Sequence, residues 1–161
     1  MRAAVLTVSD GVFHGAREDG SGEALIEKAT AAGFDVAHRD VVPDEAERIA
    51  AVVCAWADAA DAVELVLVTG GTGFAPRDVT PEALGPVYDR PTPGIDEAMR
   101  AFSMRVKPHG MLSRGVSGIR KGTLILSFPG SPKACDELFD VVEPVLAHAL
   151  QLLRSDPTEH L

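Results

Sequence analysis

The apolar residues of the chain form short continuous runs that alternate with stretches of helical spacing. A continuous apolar run of roughly four to eight residues that stops at a turn residue is typical of a strand buried on both faces of a sheet. Such runs predict strands at 3–9, 65–69 and 122–128, and a fourth strand is predicted at 34–42. Segment 113–120 has the pattern of a strand or of an irregular connection.

Between the strands, apolar spacing and helix-starting residues predict helices. They cover 21–32, 45–60, 81–88, 93–106 and 132–153. The polar, glycine-containing stretch 10–20 is predicted to be a loop.

Several residues mark the predicted ends of these helices. Asp44 with Glu47 forms an acidic variant of the capping box. Gly33 is a predicted C-terminal cap, and Pro144 is predicted to kink the last helix. Capping residues that precede a proline are predicted to start three further helices: Thr80, Thr92 and Ser131.

The alternation of strands and helices predicts the fold class. We expect an α/β fold, a three-layer α/β/α sandwich with a mostly parallel sheet. A chain of 161 residues suffices for one domain with a substantial core. We assign that domain to 1–154 and a tail to 155–161.

The formal net charge of −9 argues against broad binding to nucleic acid or to an anionic membrane, because either needs an extended basic face. A small anionic ligand remains compatible with it. The N-terminal apolar run is too short for a signal peptide or a membrane span, so a cytoplasmic location is predicted. Cys54 and Cys135 lack metal-binding spacing and are interpreted as core thiols.

In open α/β sheets, ligands bind at the carboxyl ends of the strands. Polar and glycine residues stand at each of these predicted ends. They are Ser9 and Asp10 after the first strand, Asp44 after the second, Gly70, Gly71, Thr72 and Gly73 followed by Asp78 after the third, and Gly130, Ser131 and Lys133 after the fourth.

The glycines of 69–73 allow a tight turn and a close approach of a ligand to main-chain N–H groups. Alone they are equally compatible with a turn that binds nothing. The segment is neither a Walker A loop nor a GxGxxG motif.

The acids of these loops have structural interpretations too, Asp44 as a helix cap and Asp78 and Asp10 as turn residues. Their convergence on one rim favours a magnesium–phosphate site, because gathered carboxylates need a compensating cation. Ser131 begins a helix, and its segment is a candidate anion site or only a cap. The five histidines are scattered and receive no role, and no catalytic triad or GxSxG elbow is present.

Six blocks in this order and spacing resemble the molybdenum-cofactor biosynthesis domain family, specifically molybdopterin adenylyltransferases. The blocks are LTVSD at 6–10, VVPDE at 41–45, TGGTG at 69–73, RDVTPE at 77–82, MLSR at 111–114 and FPGSPKA at 128–134. The resemblance covers nearly the whole chain.

The resemblance implies transfer of AMP from Mg-ATP to the terminal phosphate of molybdopterin, with release of pyrophosphate. It implies that Asp44 and Asp78 are the functional acids, and we hypothesise that they bind Mg²⁺ or orient the ATP phosphates. It also implies a substrate site formed by the motif glycines and the LSR and PGSPK blocks, which hold Gly70, Gly71, Gly73, Ser113, Arg114, Gly130, Ser131 and Lys133. We hypothesise that Ser9, Asp10 and Thr72 contact the substrate or shape the pocket. A homotrimer and a downstream molybdenum-insertion protein as partner are further expectations.

Two other functions stay open at the level of sequence. One is a non-catalytic molybdopterin-binding paralogue that acts as carrier or scaffold. The other is a nucleotide-binding regulatory domain. Retention of both Asp44 and Asp78 favours the enzyme.

Overall fold

The computed structural model describes residues 1–155, and the predicted tail beyond Ser155 lies outside the described residues. Within 1–155 the chain forms six strands, β1 to β6: Arg2–Val8, Asp35–Val42, Leu65–Thr69, Arg90–Pro91, Gly118–Arg120 and Thr123–Phe128. It also forms six α-helices, α1 to α6: Asp10–Phe13, Gly20–Ala31, Ala46–Asp58, Thr80–Leu84, Pro93–Val106 and Pro132–Arg154. Two 3₁₀ segments lie at Gly85–Val87 and Pro108–Leu112.

The strands form one mixed sheet in the order β2-β1-β3-β6-β5-β4. The four strands β2, β1, β3 and β6 are parallel, whereas β5 and β4 are short and antiparallel. The predicted α/β fold with a mostly parallel sheet is confirmed.

Helices cover both faces of the sheet because the buried strands are apolar on both sides. In β3, Leu65 and Leu67 pack with α2, α5 and α6, whereas Val66 and Val68 pack with α3 and α4. The period of two along each strand therefore divides the core into two layers. This arrangement is the predicted three-layer sandwich.

Differences from the predicted elements fall where packing overrides local pattern. The predicted loop 10–20 contains the one-turn helix α1, capped by Ser9, whose side chain accepts the N–H of Val12. The predicted helix 81–88 is α4 followed by a 3₁₀ turn. Only the end of segment 113–120 is a strand, because β5 exists by pairing with β6.

Three of the predicted helix caps are wrong in their chemistry. Glu45, not Asp44, occupies the N-cap position of α3 and makes no side-chain cap hydrogen bond, while the Asp44 carboxylate accepts the N–H of Asp10 instead. Thr80 lies inside α4, and its hydroxyl donates to the carbonyl of Gly70. Thr92 precedes α5, but its hydroxyl makes no cap hydrogen bond.

The last helix begins as predicted, with Ser131 accepting the N–H of Ala134 at 3.4 Å. Pro144 lies within this helix, and its kink remains a prediction. Cys135 is buried, and burial raises the pKa of its thiol to about 11, so it is a core thiol as predicted. Cys54 lies in α3 and is half-buried against the core layer to which that helix belongs. Among the described residues, no helix has the length and apolar character needed to span a bilayer.

Strand register brings the carboxyl ends of the four parallel strands together. Thr69 pairs with Thr7 and with Phe128, and Val8 pairs with Val42. The residue after β3, Gly70, has φ +99 and lies so close to β1 that an added Cβ would be 2.2 Å from the Val8 carbonyl oxygen. A side chain at this position would therefore collide with main chain.

We predict that Gly70→Ala lowers the free energy of unfolding by at least about 2 kcal/mol, because positive φ strains alanine and the clash involves backbone that cannot step aside. Gly122→Ala is the matched control, since nothing lies within 4 Å of its added Cβ. Urea unfolding followed by circular dichroism measures both variants. Equal stability of the two would contradict the close approach.

Candidate active site

A cleft of about 660 Å³ opens at the carboxyl ends of the parallel strands. In the sheet, β2 lies on one side of β1 and β3 lies on the other, so the chain crosses over β1 between β2 and β3. The cleft therefore lies at the point where the chain reverses its direction across the sheet, the usual ligand position in such folds. Its volume lies within the range of small-molecule sites.

Residues 70–73 form one wall of this cleft and are called the glycine loop below. Gly70 and Gly71 both have positive φ, which glycine adopts without strain. The Gly70 N–H donates to the carbonyl of Phe128. Thr80 holds the loop by two bonds, because its N–H donates to the carbonyl of Gly71 and its hydroxyl donates to the carbonyl of Gly70. In the described part of the chain, the N–H groups of Gly71, Thr72 and Gly73 have no protein acceptor. They are free to bind anionic oxygens.

Both predicted acids stand directly beside this loop and line the cleft. A Cβ added to Gly71 would lie 3.2 Å from Asp44 Oδ1. One added to Gly73 would lie 2.8 Å from Asp78 Oδ2. The absence of side chains at both glycines therefore makes room for the two carboxylates as well as for a ligand.

Burial and neighbouring negative charge act on Asp44. Its pKa is raised, first by desolvation and then by the charges of Asp10 and Asp78, although the N–H of Asp10 and the charge of Arg77 oppose this. A nearby cation would stabilise the ionised form of this carboxylate, which the protein alone disfavours.

A metal site would need ligands from outside the protein. Within residues 1–155, no three His, Cys, Asp or Glu side chains gather to hold a metal ion. Two carboxylates fit Mg²⁺ beside a phosphate substrate, because Mg²⁺ is held by one or two carboxylates together with substrate phosphates and water.

Asp10 does not itself line the cleft. Its carboxylate accepts two bonds of 3.0 Å from Arg77 and one of 3.0 Å from the N–H of Asp44. Asp44 in turn accepts the N–H of Asp10 at 2.8 Å. Hydrogen bonds from Arg77 and then from Asp44 lower the pKa of Asp10. Asp10 therefore fixes Asp44 and is itself neutralised by Arg77.

Arg114 braces the glycine loop from outside the cleft. Its guanidinium donates to the carbonyls of Gly73 at 2.7 Å and Asp78 at 2.6 Å, and it pairs with Glu82. Lys133 also lies outside the cleft lining and is paired with Glu137 at 3.6 Å. Neither cation lines the cleft, and the substrate contacts predicted for them stay predictions.

The start of α6 forms a second wall, where Gly130 and Ser131 line the cleft. A Cβ added to Gly130 would lie 3.4 Å from the Cα of Gly70, so the two loops touch. Ser9 and Ser113 line the cleft as well. Of the predicted site residues, the structure brings together the following: Ser9, Asp44, Gly70, Gly71, Thr72, Gly73, Asp78, Ser113, Gly130 and Ser131.

Sequence reasoning missed the cations of the cleft lining. They are Arg17, Arg77 and Lys107, and the lining also contains His109. Arg77 stands next to Asp78 in the RDVTPE block and could have been found there. The other three come from segments with no motif, and their approach to the cleft depends on the packing of α1 and of the 3₁₀ segment after α5.

Comparison with known proteins identifies the family. Residues 4–148 match a family model described as "Probable molybdopterin binding domain". The chain belongs to this family.

Three similar proteins from three organisms have names that agree with this family assignment. The chain is 41% identical to gephyrin of Dictyostelium discoideum, over 98% of this chain but only 23% of that protein. It is 40% identical to a molybdopterin adenylyltransferase of Escherichia coli K12, over 89% of this chain and 74% of that protein. The solved structure of the molybdopterin biosynthesis enzyme MoaB from Thermus thermophilus superposes with a TM-score of 0.90, at 46% identity, 98% coverage of this chain and 99% of that one.

The relatives of the chain include proteins named for molybdenum-cofactor biosynthesis, among them both MoaB proteins and molybdopterin adenylyltransferases. The chain spans about a quarter of the length of gephyrin, so functions of that longer protein do not carry over as findings.

We predict that Asp44→Asn raises the thermal unfolding midpoint of the ligand-free protein at about pH 7, because it keeps an oxygen for the Asp10 N–H and removes an unfavourable charge. The pKa of Asp44 is raised when folded, so its ionisation costs stability as pH rises above the ordinary aspartate value of 3.8. The advantage of asparagine should therefore fade as pH falls through that raised pKa. Circular dichroism melts at both ends of this range provide the measurement, and a destabilised variant at neutral pH would contradict it.

Proposed function

We propose that this protein is a molybdopterin adenylyltransferase, which transfers AMP from Mg-ATP to the terminal phosphate of molybdopterin and releases pyrophosphate. The observation that carries the proposal is the position of Asp44 and Asp78 on either side of the free N–H groups of the glycine loop. The similarity to the E. coli molybdopterin adenylyltransferase supports it.

The chemistry requires two anions to meet in line. An oxygen of the terminal phosphate of molybdopterin forms a bond to the α-phosphorus of ATP, and the bond from that phosphorus to the pyrophosphate oxygen breaks. The substrate supplies the nucleophile, so the protein needs none. Cys135, buried with a raised pKa, is correspondingly outside the reaction. Catalysis of this kind depends on alignment and on charge neutralisation.

The residues of the cleft divide this work. The N–H groups of Gly71, Thr72 and Gly73 bind phosphate oxygens, with Ser131 and the first turn of α6 facing them. Asp44 and Asp78 would hold Mg²⁺, which would neutralise negative charge on the phosphates. Asp10 holds Asp44 in position, while Arg77 keeps Asp10 from adding an uncompensated charge.

A molybdopterin-binding carrier without chemistry is the second candidate. The family model that the chain matches is described by molybdopterin binding alone, a property that a carrier would share. A carrier would use the cleft and its N–H groups. It would gain nothing from two carboxylates beside phosphates, because like charges at short range repel. The two acids therefore favour the enzyme.

Incubation with molybdopterin, ATP and MgCl₂ separates the two candidates. The enzyme is expected to yield adenylylated molybdopterin and an equal amount of pyrophosphate, both resolved by chromatography. Omission of MgCl₂ should abolish both products, because the acids then face the phosphates without a cation. Molybdopterin binding without either product would establish the carrier instead.

We predict that Asp78→Asn lowers turnover by about 100-fold or more, the effect of losing one strong electrostatic contribution. Asparagine can still accept the N–H of Ala75, which Asp78 accepts at 2.9 Å, so fold and pterin binding should persist. Asp89→Asn is the matched control, because Asp89 also accepts a main-chain N–H, that of Lys121, but lies outside the cleft. Steady-state pyrophosphate release measures all three proteins, and comparable turnover of both variants would refute the role of Asp78.

The cellular setting follows from the same resemblance. We propose a cytoplasmic homotrimer that passes its product to a downstream molybdenum-insertion protein.

A further inference from the structure

Arg17 is a cation of the cleft wall to which the proposed reaction assigns no role so far. It lies between α1 and α2, and its Nη2 donates to Ser9 Oγ at 2.8 Å. Ser9 is only 6% exposed, so this anchor is fixed in the protein. A Cβ added to Gly11 would lie 2.9 Å from Arg17 Nε, which shows that the guanidinium packs over the start of α1.

The segment that carries Arg17 is held at its far end as well. Asp19 accepts the Thr7 hydroxyl at 3.0 and 2.9 Å and the N–H of Gly22 at 2.9 Å. A Cβ added to Gly20 would lie 3.0 Å from Pro132 Cγ. The segment therefore runs from the end of β1 to the first turn of α6, and Arg17 stands on the wall between them.

The guanidinium of Arg17 has donors to spare. The other arginines near the site are neutralised, Arg77 by Asp10 and Arg114 by Glu82. Within residues 1–155, no carboxylate lies within ion-pair distance of Arg17. A guanidinium carries five N–H donors in a planar fork, and Ser9 engages one edge. The fork matches two oxygens of a phosphate group.

We propose that Arg17 binds a phosphate group of the substrates in this cleft and that Ser9 acts by positioning Arg17. The proposal rests on the proposed function only for which phosphate is bound, that of the nucleotide or the terminal phosphate of molybdopterin. Ser9 accepts both the N–H of Val12 and the guanidinium, so its two acceptor positions are occupied by the protein. The proposal assigns its contribution to the anchoring of Arg17, and a direct bond from the remaining O–H donor of Ser9 to the ligand is the alternative that a double-mutant cycle tests.

Titration calorimetry with inorganic pyrophosphate, with AMP and with molybdopterin, each added alone, tests the binding. Arg17→Ala should weaken at least one of these ligands about tenfold or more, the scale of a charge-assisted hydrogen bond. Arg17→Lys should recover only part of the loss, because lysine keeps the charge but not the fork. Loss for pyrophosphate assigns the phosphate to the nucleotide, and loss for molybdopterin assigns it to the pterin substrate.

Arg90→Ala is the matched control, since Arg90 is exposed on β4, outside the cleft, and its replacement removes the same charge. Affinities unchanged by Arg17→Ala for all three ligands, or lowered equally by Arg90→Ala, would overturn the proposal. Thermal unfolding of each variant accompanies the titrations and identifies a loss that comes from misfolding.

A double-mutant cycle tests the positioning role of Ser9. Ser9→Ala alone should weaken the same ligand by about threefold, and Ser9→Ala with Arg17→Ala should bind no more weakly than Arg17→Ala alone, because the two effects share one contact. Additive losses would show that Ser9 contacts the ligand itself and would overturn the positioning role. A wild-type protein that binds phosphate through Arg17 but forms no AMP adduct would sink the proposed enzyme while leaving this inference intact.

Discussion

The contact between Gly70 and the main chain of Val8 fixes the geometry from which the site is built. Strands β1 and β3 lie side by side, and β3 ends where an added side chain atom would come within 2.2 Å of the Val8 carbonyl oxygen. Glycine avoids this clash, and the chain turns with positive φ at Gly70 and again at Gly71. That turn leaves the next three N–H groups without protein acceptors beside the cleft, within the part of the chain that the structure describes. Steric exclusion at one residue therefore leaves a row of N–H donors beside the cleft without protein acceptors.

The second consequence of this packing is electrostatic. Asp10, Asp44 and Asp78 come from three loops that meet at one end of the sheet, and their charges would oppose folding if each stood alone. Arg77 neutralises Asp10, and the reciprocal bonds between Asp10 and Asp44 fix the latter beside the glycine loop. Asp44 keeps a raised pKa. The ionised Asp44 carboxylate is therefore destabilised in the protein alone, and a cation bound with the substrate would stabilise it.

Arginines of similar appearance in the sequence do different work in the structure. Arg114, part of a family-like block, supports the loop from behind through main-chain carbonyls. Arg77 forms an ion pair with Asp10. Arg17 lies in a segment without a motif, lines the cleft and has no carboxylate partner among the described residues. The distinction depends on partners supplied by remote parts of the chain, because a guanidinium binds whichever acceptors surround it.

The sequence by itself determined the layers and the place of the site. Runs such as 65–69 are apolar at every position but the last, which requires cover on both faces and hence a sandwich with a parallel sheet. The carboxyl ends of such strands must meet, so the glycine loop, Asp44, Asp78 and Ser131 could be assigned to one rim. Tertiary structure alone decided what each polar group contacts. The Asp44 carboxylate accepts the N–H of Asp10 instead of capping a helix. The Thr80 hydroxyl donates to the Gly70 carbonyl, and the Arg17 guanidinium donates to the Ser9 hydroxyl. Short polar side chains have several partners of similar energy nearby, and only the packing of distant segments selects one.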